Sequence, residues 1–571
     1  MRILGIHDGH NSAACLLENG RVAYAAQEER FTYVKNQGGF PVRTVDRILA
    51  EYPLDSIDEV VFAGAYMGNF DWSREATVAD YRASSSGRNI ARQWLKQIPL
   101  VADLYRRRVN VTRSGHVHPA LGGRAHKNVD HHHCHAASAY YGRGEHDRKI
   151  LVITADGEGD FRSGSVYLGE AGRMQPLLSL PYRDSLGRIY SYMTYLYNMV
   201  PYEHEYKIMG LAPYCNDRKR IARCKEDLRQ VLGFASDEAL TWSYRGRYPS
   251  IQSAGRELQS IYAAHRFDVM SAGLQEYTEE LLVEWVRRLV RHTGIADVAL
   301  SGGVFMNVKA NMMIAKDAGV RSVYVFPSCG DETNCFGAAF QTHQQLTGEP
   351  PQPLASLYVG DEVVTDAAAL EPLRAKGYSV ADHGELIERE VATLLARGEI
   401  VGRVGGAMEF GARSLGNRAI LANPSDRHVL RTVNEMIKGR DFWMPFAPSV
   451  LRQDLGNYFH ADAPVCDYEY MIFTAESRPE QREYAQCALH PYDFTGRPQA
   501  VDAQVNPRYA EMLSHYKSLT GESLVLNTSY NLHGYPMVRD QEQALDVFEK
   551  SGLQHLALDR HLISKPAAPG A

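Results

Sequence analysis

Short apolar runs separated by glycine-bearing turns open the chain. Residues 2–6, 13–17 and 22–26 are rich in aliphatic side chains, and the dipeptides Asp8-Gly9 and Asn19-Gly20 stand between them. Apolar runs of this length that are bounded by turn-forming residues are typical of β-strands. The pattern therefore predicts three strands joined by tight turns at the start of the chain.

Strand-like and helix-like patterns alternate further along. Residues 149–154 and 164–168 predict two more strands, and residues 298–303 predict a buried strand that ends in a glycine turn. Residues 253–293 are amphipathic and lack proline, which predicts helix, and residues 306–315 predict the helix that follows the buried strand. This alternation predicts an α/β fold class.

A polar segment that contains several prolines, residues 346–356, is the best candidate for a linker. It divides a first domain over residues 1–350 from a second mixed α/β region over residues 357–540. Residues 541–571 form a tail that we expect to pack back on the first domain. That arrangement would make the second domain an insertion.

Length and charge bound the class of protein. The chain has 571 residues, of which 44% are hydrophobic and 23% charged, with a formal net charge of −6. This length predicts two or three globular domains. Phosphate contacts to nucleic acid need clustered cations, and a chain without a basic tail is not expected to have nucleic acid as its main partner.

Cysteine usage and hydropathy indicate the compartment. The eight cysteines are scattered without a Cys-x-x-Cys motif, which favours reduced thiols in a cytoplasm. No apolar run reaches membrane length, and the N-terminal residues enter a predicted strand directly, so we expect neither a membrane segment nor a signal peptide. We therefore expect a cytoplasmic protein without a membrane partner. The sequence leaves a homo-oligomer open.

A histidine cluster is the most informative motif. Residues 131–135 read His-His-His-Cys-His, so four histidines fall within five positions. His131 and His135 are four apart, and side chains at this spacing on a helix point the same way, so the pair is predicted to bind one cation. The acidic turn at residues 156–160 would complete the shell or hold a metal-bound phosphate. A helix with several surface histidines is the alternative, and the nearby acidic turn disfavours it.

Glycine-bearing turns follow three of the predicted strands, at residues 7–12, 156–160 and 301–307. Backbone N–H groups in such turns bind phosphates, and Gly302-Gly303 would let the backbone approach an adenosine. This order resembles the actin, sugar kinase and heat-shock ATPase superfamily, whose two-lobed fold holds a nucleotide between two halves. Asp331 follows a later strand and could reach a shared metal from the opposite lobe. A plain turn or helix cap is the alternative for this residue.

Cationic and amide-bearing motifs mark the second domain. Residues 408–418 join two arginines through a glycine-rich turn, and further motifs stand at residues 438–440, 497–499 and 527–531. Fixed cations, hydroxyls and amides are what a polyphosphate and a small carboxylate-like anion require. A salt-bridged surface is the alternative. Cations set between glycines and prolines in apolar surroundings favour a concave anion site.

The chain resembles the NodU/CmcH family of O-carbamoyltransferases. The segments that carry the resemblance follow the family order along the first domain: residues 10–14, 28–31, 131–138, 205–212, 301–307 and 330–339. In the family this half is similar to the tRNA threonylcarbamoyl transferase domain and binds a nucleotide and a metal, usually iron. The resemblance implies a two-lobed, actin- and sugar-kinase-like first domain that transfers a carbamoyl group to an acceptor hydroxyl.

The resemblance also implies roles for single residues of the first domain. It implies that the metal ligands are His131, His135, Asp156 and Asp331. It also implies that the nucleotide is bound by Gly302, Gly303 and Asn307. Asp8 and His10 match the groups that handle the acceptor hydroxyl, with His10 taking its proton and Asp8 orienting or assisting it. The family commonly has Asp where Asn11 stands, so we give Asn11 no catalytic role.

The second domain is similar to the YrdC-like half of the same family, which makes carbamoyl adenylate from carbamoyl phosphate and ATP. The resemblance implies that these two co-substrates are bound by Arg413, Ser414, Arg418, Lys438, Arg440, Arg497, Asn527 and Ser529. The family often reads Arg-Pro-Phe-Ala-Pro where this chain has Met444 as the first residue. One phosphate contact is therefore in doubt, and Arg440 or Arg418 is the candidate to replace it.

These features together predict an ATP-dependent O-carbamoyltransferase with one chemical step in each domain. ATP and carbamoyl phosphate are the co-substrates, Mg²⁺ accompanies ATP, and Fe(II) or another divalent metal serves the transfer step. The acceptor is a hydroxyl of a small molecule, a natural product or a sugar, as in antibiotic biosynthesis. A tRNA-modifying threonylcarbamoyl-type transferase is a rival that the lack of a basic patch disfavours. A nucleotide-dependent ATPase switch is another, and it leaves the cationic second domain unexplained.

Overall fold

The computed structural model describes residues 1–65, 71–98, 100–101, 104, 119–439, 441, 443–461 and 465–566. Two compact units make up the chain. The first contains Met1–Glu28 and Asn36–Leu354, and the second contains Glu29–Lys35 together with most of the chain after Ala355. The division after Leu354 falls within the segment that the sequence indicates as a linker.

The first unit is built on two sheets. Its strands are β1 (Arg2–His7), β2 (Ala13–Glu18), β3 (Arg21–Gln27), β4 (Glu59–Ala63), β5 (Lys127–Val129), β6 (Ile150–Gly159), β7 (Arg162–Glu170), β8 (Arg173–Pro181), β9 (Leu232–Phe234), β10 (Trp242–Tyr244), β11 (Asp297–Ser301) and β12 (Ser322–Val325). Among the described residues, one sheet has the order β3-β2-β1-β4-β5 and the other the order β8-β7-β6-β11-β12. β9 and β10 pair as a separate ribbon.

The two large sheets of the first unit repeat one topology. In each sheet three consecutive strands form an antiparallel meander, and two later strands add in parallel beside the first strand of that meander. This duplication is the architecture of the actin, sugar kinase and heat-shock ATPase superfamily, which the glycine turns predicted. The first unit is therefore a two-lobed α/β domain, and the turns after β1 and β6 occupy equivalent positions in its two lobes.

Helices fill the connections between these strands. Those described before residue 355 are α1 (Glu29–Thr32, part of the second unit), α2 (Val42–Glu51), α3 (Arg74–Ala83), α4 (Gly87–Leu95), α5 (His131–Arg143), α6 (Leu186–Leu196), α7 (Glu205–Leu211), α8 (Arg218–Val231), α9 (Gly255–Ala264), α10 (Phe267–Thr293), α11 (Val308–Asp317) and α12 (Asn334–Thr347). α5 and α12 pack closely because Gly337 has no side chain: a Cβ there would lie 1.9 Å from Cys134 O.

Residues 253–293, predicted to be helical, form two helices. α9 ends and α10 begins on either side of His265 and Arg266, which are extended. His265 Nε2 lies 2.8 Å from Asp227 Oδ2 on α8. This contact of His265 lies at the junction of the two helices. The amphipathic pattern of the sequence does not reveal the junction.

The second unit is organised around one large mixed sheet. Its strands are β13 (Tyr358–Glu362), β14 (Ser379–Asp382), β15 (Val401–Val404), β16 (Ala407–Glu409), β17 (Arg418–Ala422), β18 (Ala447–Leu451), β19 (Phe459–His460), β20 (Ala475–Ser477), β21 (Thr495–Gly496), β22 (Gln499–Val501), β23 (Leu524–Ser529), β24 (His555–Leu558) and β25 (His561–Ser564). In the part of this unit that the structure describes, the large sheet has the order β14-β25-β24-β15-β17-β23-β18-β22.

Helices cover both faces of this sheet. They are α13 (Glu371–Ala375), α14 (Ile387–Ala396), α15 (Arg427–Val433), α16 (Leu455–Tyr458), α17 (Pro507–Thr520) and α18 (Gln541–Lys550). Leu395 of α14 and Leu513 of α17 pack in one core with Leu421, whereas Phe548 of α18 packs in another with Ile420. Neighbouring residues of a strand point to opposite faces, so the second unit is an α/β layered domain, as predicted.

The C-terminal residues differ from the sequence-based expectation. β24 and β25 lie within the tail predicted at residues 541–571, yet they belong to the large sheet of the second unit. β24 pairs in parallel with β15, and β25 pairs antiparallel with β24 and β14. Backbone hydrogen bonds therefore bind the tail into the second unit, beyond the boundary at residue 540 that the sequence predicts. The expected packing of the tail on the first domain stays a prediction.

The cysteines are all buried and none forms a disulfide. They contribute to packing as small apolar side chains. None of the helices in the described ranges is both long enough and apolar enough to span a membrane.

Candidate functional site

Two histidines and two aspartates converge in the first unit. His131 and His135 lie in the first turns of α5, Asp156 lies near the end of β6, and Asp331 begins the 3-10 turn before α12. His131 Nε2 is 3.0 Å from Asp156 Oδ2, and His135 Nε2 is 3.3 Å from both Asp156 Oδ2 and Asp331 Oδ1. One ligand atom of each residue lies within 4.8 Å of the others. The structure thus brings together the four residues that the sequence analysis grouped as one metal site.

A helix cap and two glycines allow this convergence. Asp130 caps α5 by accepting a hydrogen bond from a first-turn backbone N–H at 3.0 Å, which fixes where the helix begins. A Cβ on Gly159 would lie 2.1 Å from His131 Cδ2, and a Cβ on Gly303 would lie 2.9 Å from Asp156 Oδ1. The glycines of the predicted turns therefore leave the space that the imidazole and the carboxylate occupy.

Neighbouring polar groups orient the four side chains. Ser301 Oγ lies 3.3 Å from His135 Nδ1, which directs Nε2 of that ring towards the aspartates. Asp160 accepts a hydrogen bond from His131 N at 2.7 Å, and Asp156 Oδ1 accepts one from the following backbone N–H at 2.7 Å. Contacts of this kind hold metal-binding rings and carboxylates in a fixed orientation.

Sequence reasoning did not assign Ser301 or Asn334 to this site. Asn334 Nδ2 lies 3.2 Å from His135 Nε2, and it comes from the first turn of α12. Both residues stand within three positions of a predicted site residue, Gly302 or Asp331. Their nearness in sequence to these predicted residues is the signal that could have assigned them to the site.

The carboxylates and imidazoles shift one another's protonation. Burial opposes a positive charge on His131, but Asp331 and Asp156 outweigh it and raise the pKa of His131 to about 10. Burial also lowers the pKa of His135, but hydrogen bonds from its ring to the two aspartates outweigh this effect and raise the pKa. Burial alone would raise the pKa of Asp156, yet the two histidines hold it well below its ordinary value. The buried negative charge thus calls for a positive partner, which is either imidazolium or a cation.

The spacing of the donor atoms fits a divalent metal. Donors bound about 2.1 Å from a metal lie about 3.0–3.4 Å from their neighbours in octahedral or tetrahedral geometry. The separations between Nε2 of the histidines and the aspartate oxygens run from 3.0 to 3.5 Å. Two imidazole nitrogens and two carboxylate oxygens suit iron, manganese or zinc. These four residues are therefore the ones that would hold such an ion.

The turn after β1 lies beside this cluster. His7 ends β1, and its ring centroid is 6.4 Å from that of His131. His7 Nε2 lies 3.0 Å from His10 O, and burial lowers the pKa of His7 to about 4, which keeps the ring neutral. Asp8 and His10 are half-buried in this turn. The two residues predicted to handle the acceptor hydroxyl therefore share a short turn with a residue that contacts the cluster.

Two aromatic residues flank His10, and sequence reasoning named neither. The ring centroid of His10 is 5.9 Å from that of Trp72 and 5.5 Å from that of Tyr202. Both come from distant stretches without a recognisable motif. Asn11, which the sequence analysis gave no catalytic role, adopts a left-handed φ of 56° in the turn, a conformation that asparagine tolerates.

The predicted nucleotide-binding residues separate into two kinds. Gly302 has a φ of 105°, a conformation that glycine adopts readily, and Gly303 begins the following 3-10 turn. Asn307 caps α11 by accepting a hydrogen bond from a first-turn N–H at 3.1 Å. Its amide also exchanges two hydrogen bonds with Gln275. The Asn307 side chain thus holds α11 to α10, and its contact with a nucleotide stays a prediction.

A buried polar network supports the glycine-rich loop of the second unit. Asn527 Nδ2 donates to Ser414 O at 3.1 Å, to Ser449 Oγ at 3.0 Å and to Gln499 Oε1 at 3.3 Å. Ser414 Oγ in turn donates to Asn527 Oδ1 at 3.3 Å. Ser414 and Asn527, both predicted to bind co-substrates, therefore join the loop to three strands of the large sheet.

Other predicted anion-binding residues are partly exposed. Arg413, Arg497 and Ser529 are half-buried, and Ser529 Oγ donates to Asn531 Oδ1 at 2.7 Å. Arg440 and the side chain of Lys438 lie outside the described residues, so their predicted roles stay predictions. Among the predicted anion-binding cations whose side chains the structure describes, Arg413 and Arg497 are partly exposed and so are accessible to a phosphate ligand.

Arg418 differs from its predicted role as an anion contact. Its side chain is buried at the start of β17. The guanidinium donates to backbone carbonyls of Asp361, Gly405, Gly406, Asn417 and Arg539 at 3.0 to 3.3 Å. Burial lowers its pKa to about 10. Arg418 thus cross-links loops of the second unit, and its donors are directed at the backbone rather than at a phosphate.

Replacing Arg418 with methionine is expected to destabilise the second unit by about 3 kcal/mol, since several buried carbonyls lose their donor. Urea denaturation followed by circular dichroism measures this change. Arg374→Met is the matched control, because Arg374 is half-exposed beside Glu371 and its loss should change stability little. Unchanged stability together with lost activity would instead assign Arg418 to substrate binding.

A surface cleft of about 530 Å³ lies elsewhere in the second unit, and its lining includes Asp454, Tyr458, Lys517 and Glu522. Lys517 Nζ pairs with Asp454 at 2.8 Å, and Tyr458 donates to Glu522 at 2.6 Å. Lys517 and Asp454 thus neutralise each other within the cleft. Within the described chain, its lining includes none of the residues predicted to bind the co-substrates.

The sequence matches two family models over most of its length. Residues 2–340 match the carbamoyltransferase N-terminus, and residues 392–565 match the carbamoyltransferase C-terminus. The nodulation protein NolNO of Sinorhizobium fredii is 30% identical over 566 residues, which cover 98% of this chain and 79% of that protein. The 3'-hydroxymethylcephem-O-carbamoyltransferase of Amycolatopsis lactamdurans is 30% identical over 259 residues, which cover 45% of this chain and 47% of that enzyme.

Among solved structures, component A of the (R)-2-hydroxyglutaryl-CoA dehydratase of Acidaminococcus fermentans covers 60% of this chain and 98% of its own, with 16% identity and a TM-score of 0.33. So loose a superposition carries no argument, and the fold assignment rests on the strand topology described above. The two family matches together span nearly all of the first unit and, apart from β14, the large sheet of the second. The chain therefore belongs to the carbamoyltransferase family, the NodU/CmcH group that its motifs resemble, and is a transferase.

Proposed function

We propose that this protein is an ATP-dependent O-carbamoyltransferase. It forms carbamoyl adenylate from carbamoyl phosphate and ATP in the second unit, and it transfers the carbamoyl group to a hydroxyl of a small molecule in the first unit. The observation that carries this proposal is the convergence of the His131, His135, Asp156 and Asp331 side chains beside the turn that holds His10, in a chain of the carbamoyltransferase family.

The first step belongs to the second unit. Carbamoyl phosphate is hydrolysed to carbamate and phosphate, and a carbamate oxygen then attacks the α-phosphorus of ATP. A new P–O bond forms, the bond to pyrophosphate breaks, and carbamoyl adenylate results. Arg413 and Arg497 neutralise the charge of the phosphates during this displacement, the usual contribution of fixed cations to phosphoryl transfer. Mg²⁺ accompanies ATP.

The second step belongs to the first unit. The acceptor hydroxyl attacks the carbamoyl carbon, His10 takes the hydroxyl proton, and AMP leaves from the mixed anhydride. Asp8 orients or assists His10. Gly302 and Gly303 allow the backbone to approach the adenosine. His131, His135, Asp156 and Asp331 would hold a divalent metal, for which likeness to the family favours iron, and such an ion would supply Lewis-acid polarisation of the carbamoyl oxygen and charge neutralisation at the nucleotide phosphate.

The His131→Ala/His135→Ala double variant is expected to purify without the stoichiometric metal of the parent protein. Both donors on α5 are lost, and the two remaining carboxylates cannot define a site for a transition metal. Elemental analysis of purified protein measures the change. His133→Gln is the control, because His133 packs beside Tyr167 and lies outside the cluster. Equal metal content in the parent and the double variant would contradict the assignment.

The proposed activity is tested by product analysis. Parent protein is incubated with ATP, carbamoyl phosphate and a panel of small hydroxyl compounds, and mass spectrometry detects the carbamate ester. AMP and pyrophosphate are the expected nucleotide products. Release of ADP without a carbamate ester would favour a nucleotide-dependent switch, and carbamoylation of tRNA in place of small molecules would favour a tRNA-modifying enzyme.

A further inference from the structure

Seven residues from the N-terminal part of the chain, Glu29–Lys35, belong to the second unit. We call them the inserted segment. They overlap residues 28–31, which contribute to the family resemblance and to which neither proposed chemical step assigns a role. The inserted segment follows β3 of the first unit and contains α1. Its contacts within the second unit indicate what it does there.

Side chains from the C-terminal part of the second unit hold the inserted segment in place. Gln543 Nε2 donates a hydrogen bond to Arg30 O at 3.1 Å. The guanidinium carbon of Arg539 lies 4.4 Å from the ring centroid of Phe31, a distance at which a cation is attracted to an aromatic face. These two contacts fix successive residues of the inserted segment, and they therefore determine where the Arg30 side chain begins.

The Arg30 side chain binds the glycine-rich loop between β16 and β17. Arg30 is only 2% exposed, and its Nη2 donates a hydrogen bond to Gly411 O at 2.6 Å. Its Nη1 lies 3.1 Å from Glu29 Oε1, which balances the charge. Burying a guanidinium is costly unless its charge is paired and its donors are used. The Gly411 carbonyl is thus one of the partners that make the burial of Arg30 favourable, and Arg30 in turn fixes that carbonyl.

The contact at Gly411 gives the glycine-rich loop a second fixed point. Asn527 and Glu409 bind the loop from Ser414 onwards, so they fix its second half. Gly411 lies in the first half and has a φ of 99°, which glycine adopts readily. Arg413 lies between the two fixed points. A loop that is held on both sides of Arg413 presents this cation in one position before a phosphate arrives, which is what preorganised charge stabilisation requires.

We propose that Arg30 is a positioning residue of the adenylation step, which holds Gly411 O and thereby keeps the glycine-rich loop in the shape that places Arg413 at the phosphates. This inference rests on the proposed function, in which Arg413 neutralises phosphate charge. It assigns a residue from the N-terminal part of the chain to the chemistry of the second unit. Misplacing a reacting or stabilising group by about 1 Å can cost about 10²-fold in rate, so loss of this contact should be measurable.

The test is a double-variant cycle on the full-length protein with Arg30→Met and Arg413→Ala. The measurement is kcat/KM for carbamoyl-phosphate-dependent pyrophosphate release, with radiolabelled ATP so that slow variants can be followed. We expect Arg30→Met to lower kcat/KM at least tenfold in the parent and less than twofold in the Arg413→Ala background, because Arg30 acts through Arg413. Arg30→Lys keeps a donor and the positive charge, and it should recover at least threefold over Arg30→Met. If Arg30→Met does not fold, Arg30→Lys takes its place in the cycle.

Arg288→Met is the matched control. The Arg288 side chain is 10% exposed on α10 of the first unit, and it pairs with Glu284 at 2.7 Å. Its Nη1 donates to two backbone carbonyls, Ser236 O and Ala239 O, at 2.7 and 2.8 Å. This variant therefore removes a guanidinium with the same kinds of partner from the other unit. It should release pyrophosphate within twofold of the parent, and urea denaturation compares the stability of all variants.

If Arg30 only closed the core of the second unit, the cycle would give a different pattern. Arg30→Met would then lower kcat/KM by the same factor in the parent and in the Arg413→Ala background, in step with lost stability, and that result would overturn the inference. Parent-like release in folded Arg30→Met, or an Arg30→Lys variant no more active than Arg30→Met, would overturn it as well. Absence of carbamoyl-phosphate-dependent pyrophosphate release in the parent would instead overturn the proposed function.

Discussion

Replacement of Arg413 by alanine is expected to lower carbamoyl-phosphate-dependent pyrophosphate release from ATP by about 100-fold or more, the usual effect of losing one fixed charge-stabilising donor. Arg413 is half-buried in the glycine-rich loop after β16. Glu409 anchors the loop by accepting hydrogen bonds from Leu415 N and Arg418 N at 2.9 and 3.1 Å. An arginine on an anchored loop is held in place before the substrate arrives, so its loss removes preorganised charge.

The measurement is a coupled pyrophosphate assay with ATP and carbamoyl phosphate. Arg374→Ala serves as the matched control, since it removes a cation of the same unit that is half-exposed beside Glu371. Circular dichroism and urea denaturation establish that both variants remain folded. Parent-like pyrophosphate release in folded Arg413→Ala would show that the second unit is not the adenylation site, and an equal loss in Arg374→Ala would point to net charge rather than to this residue.

The metal-site candidates could be predicted because their signals are local. The spacing of His131 and His135 fixes their common direction as soon as α5 forms, and Asp130 supplies the cap that starts the helix there. Asp156 follows a strand that any apolar-run analysis detects. Asp331 carries no such local signal, and its inclusion depended on resemblance to the family. It was expected to reach the metal from the opposite lobe, whereas the strand that precedes it, β12, lies in the same sheet as β6.

Residues whose role is set by tertiary packing could not be predicted in this way. Arg418 stands in the same motif as Arg413, and only the fold shows that its guanidinium is enclosed by backbone carbonyls. Trp72 and Tyr202 reach His10 through loop contacts that no spacing encodes. The pairing of β24 and β25 in the large sheet could not be predicted for the same reason, because it depends on non-local partners.

His10→Asn is expected to leave carbamoyl adenylate formation at the parent rate and to slow carbamoyl transfer by about 10²–10⁴-fold, the usual contribution of a positioned general base. His10 lies in the first unit, whereas the arginines assigned to adenylation lie in the second. A free hydroxyl is a poor nucleophile at neutral pH, and imidazole ordinarily titrates near neutrality, which suits proton removal. Asparagine keeps a polar side chain of similar reach and removes the base.

Pyrophosphate release and carbamate-ester formation are measured on one folded preparation, with parent protein and His292→Asn as references. His292 is exposed near the end of α10, so its replacement makes the same chemical change away from the turn. A purely structural role for His10, through its ring contacts with Trp72 and Tyr202, predicts a different pattern. Both activities would then fall together with stability, or neither would change. Only a selective loss of transfer, with adenylate formation and the urea midpoint preserved, fits a base that acts after the adenylate exists.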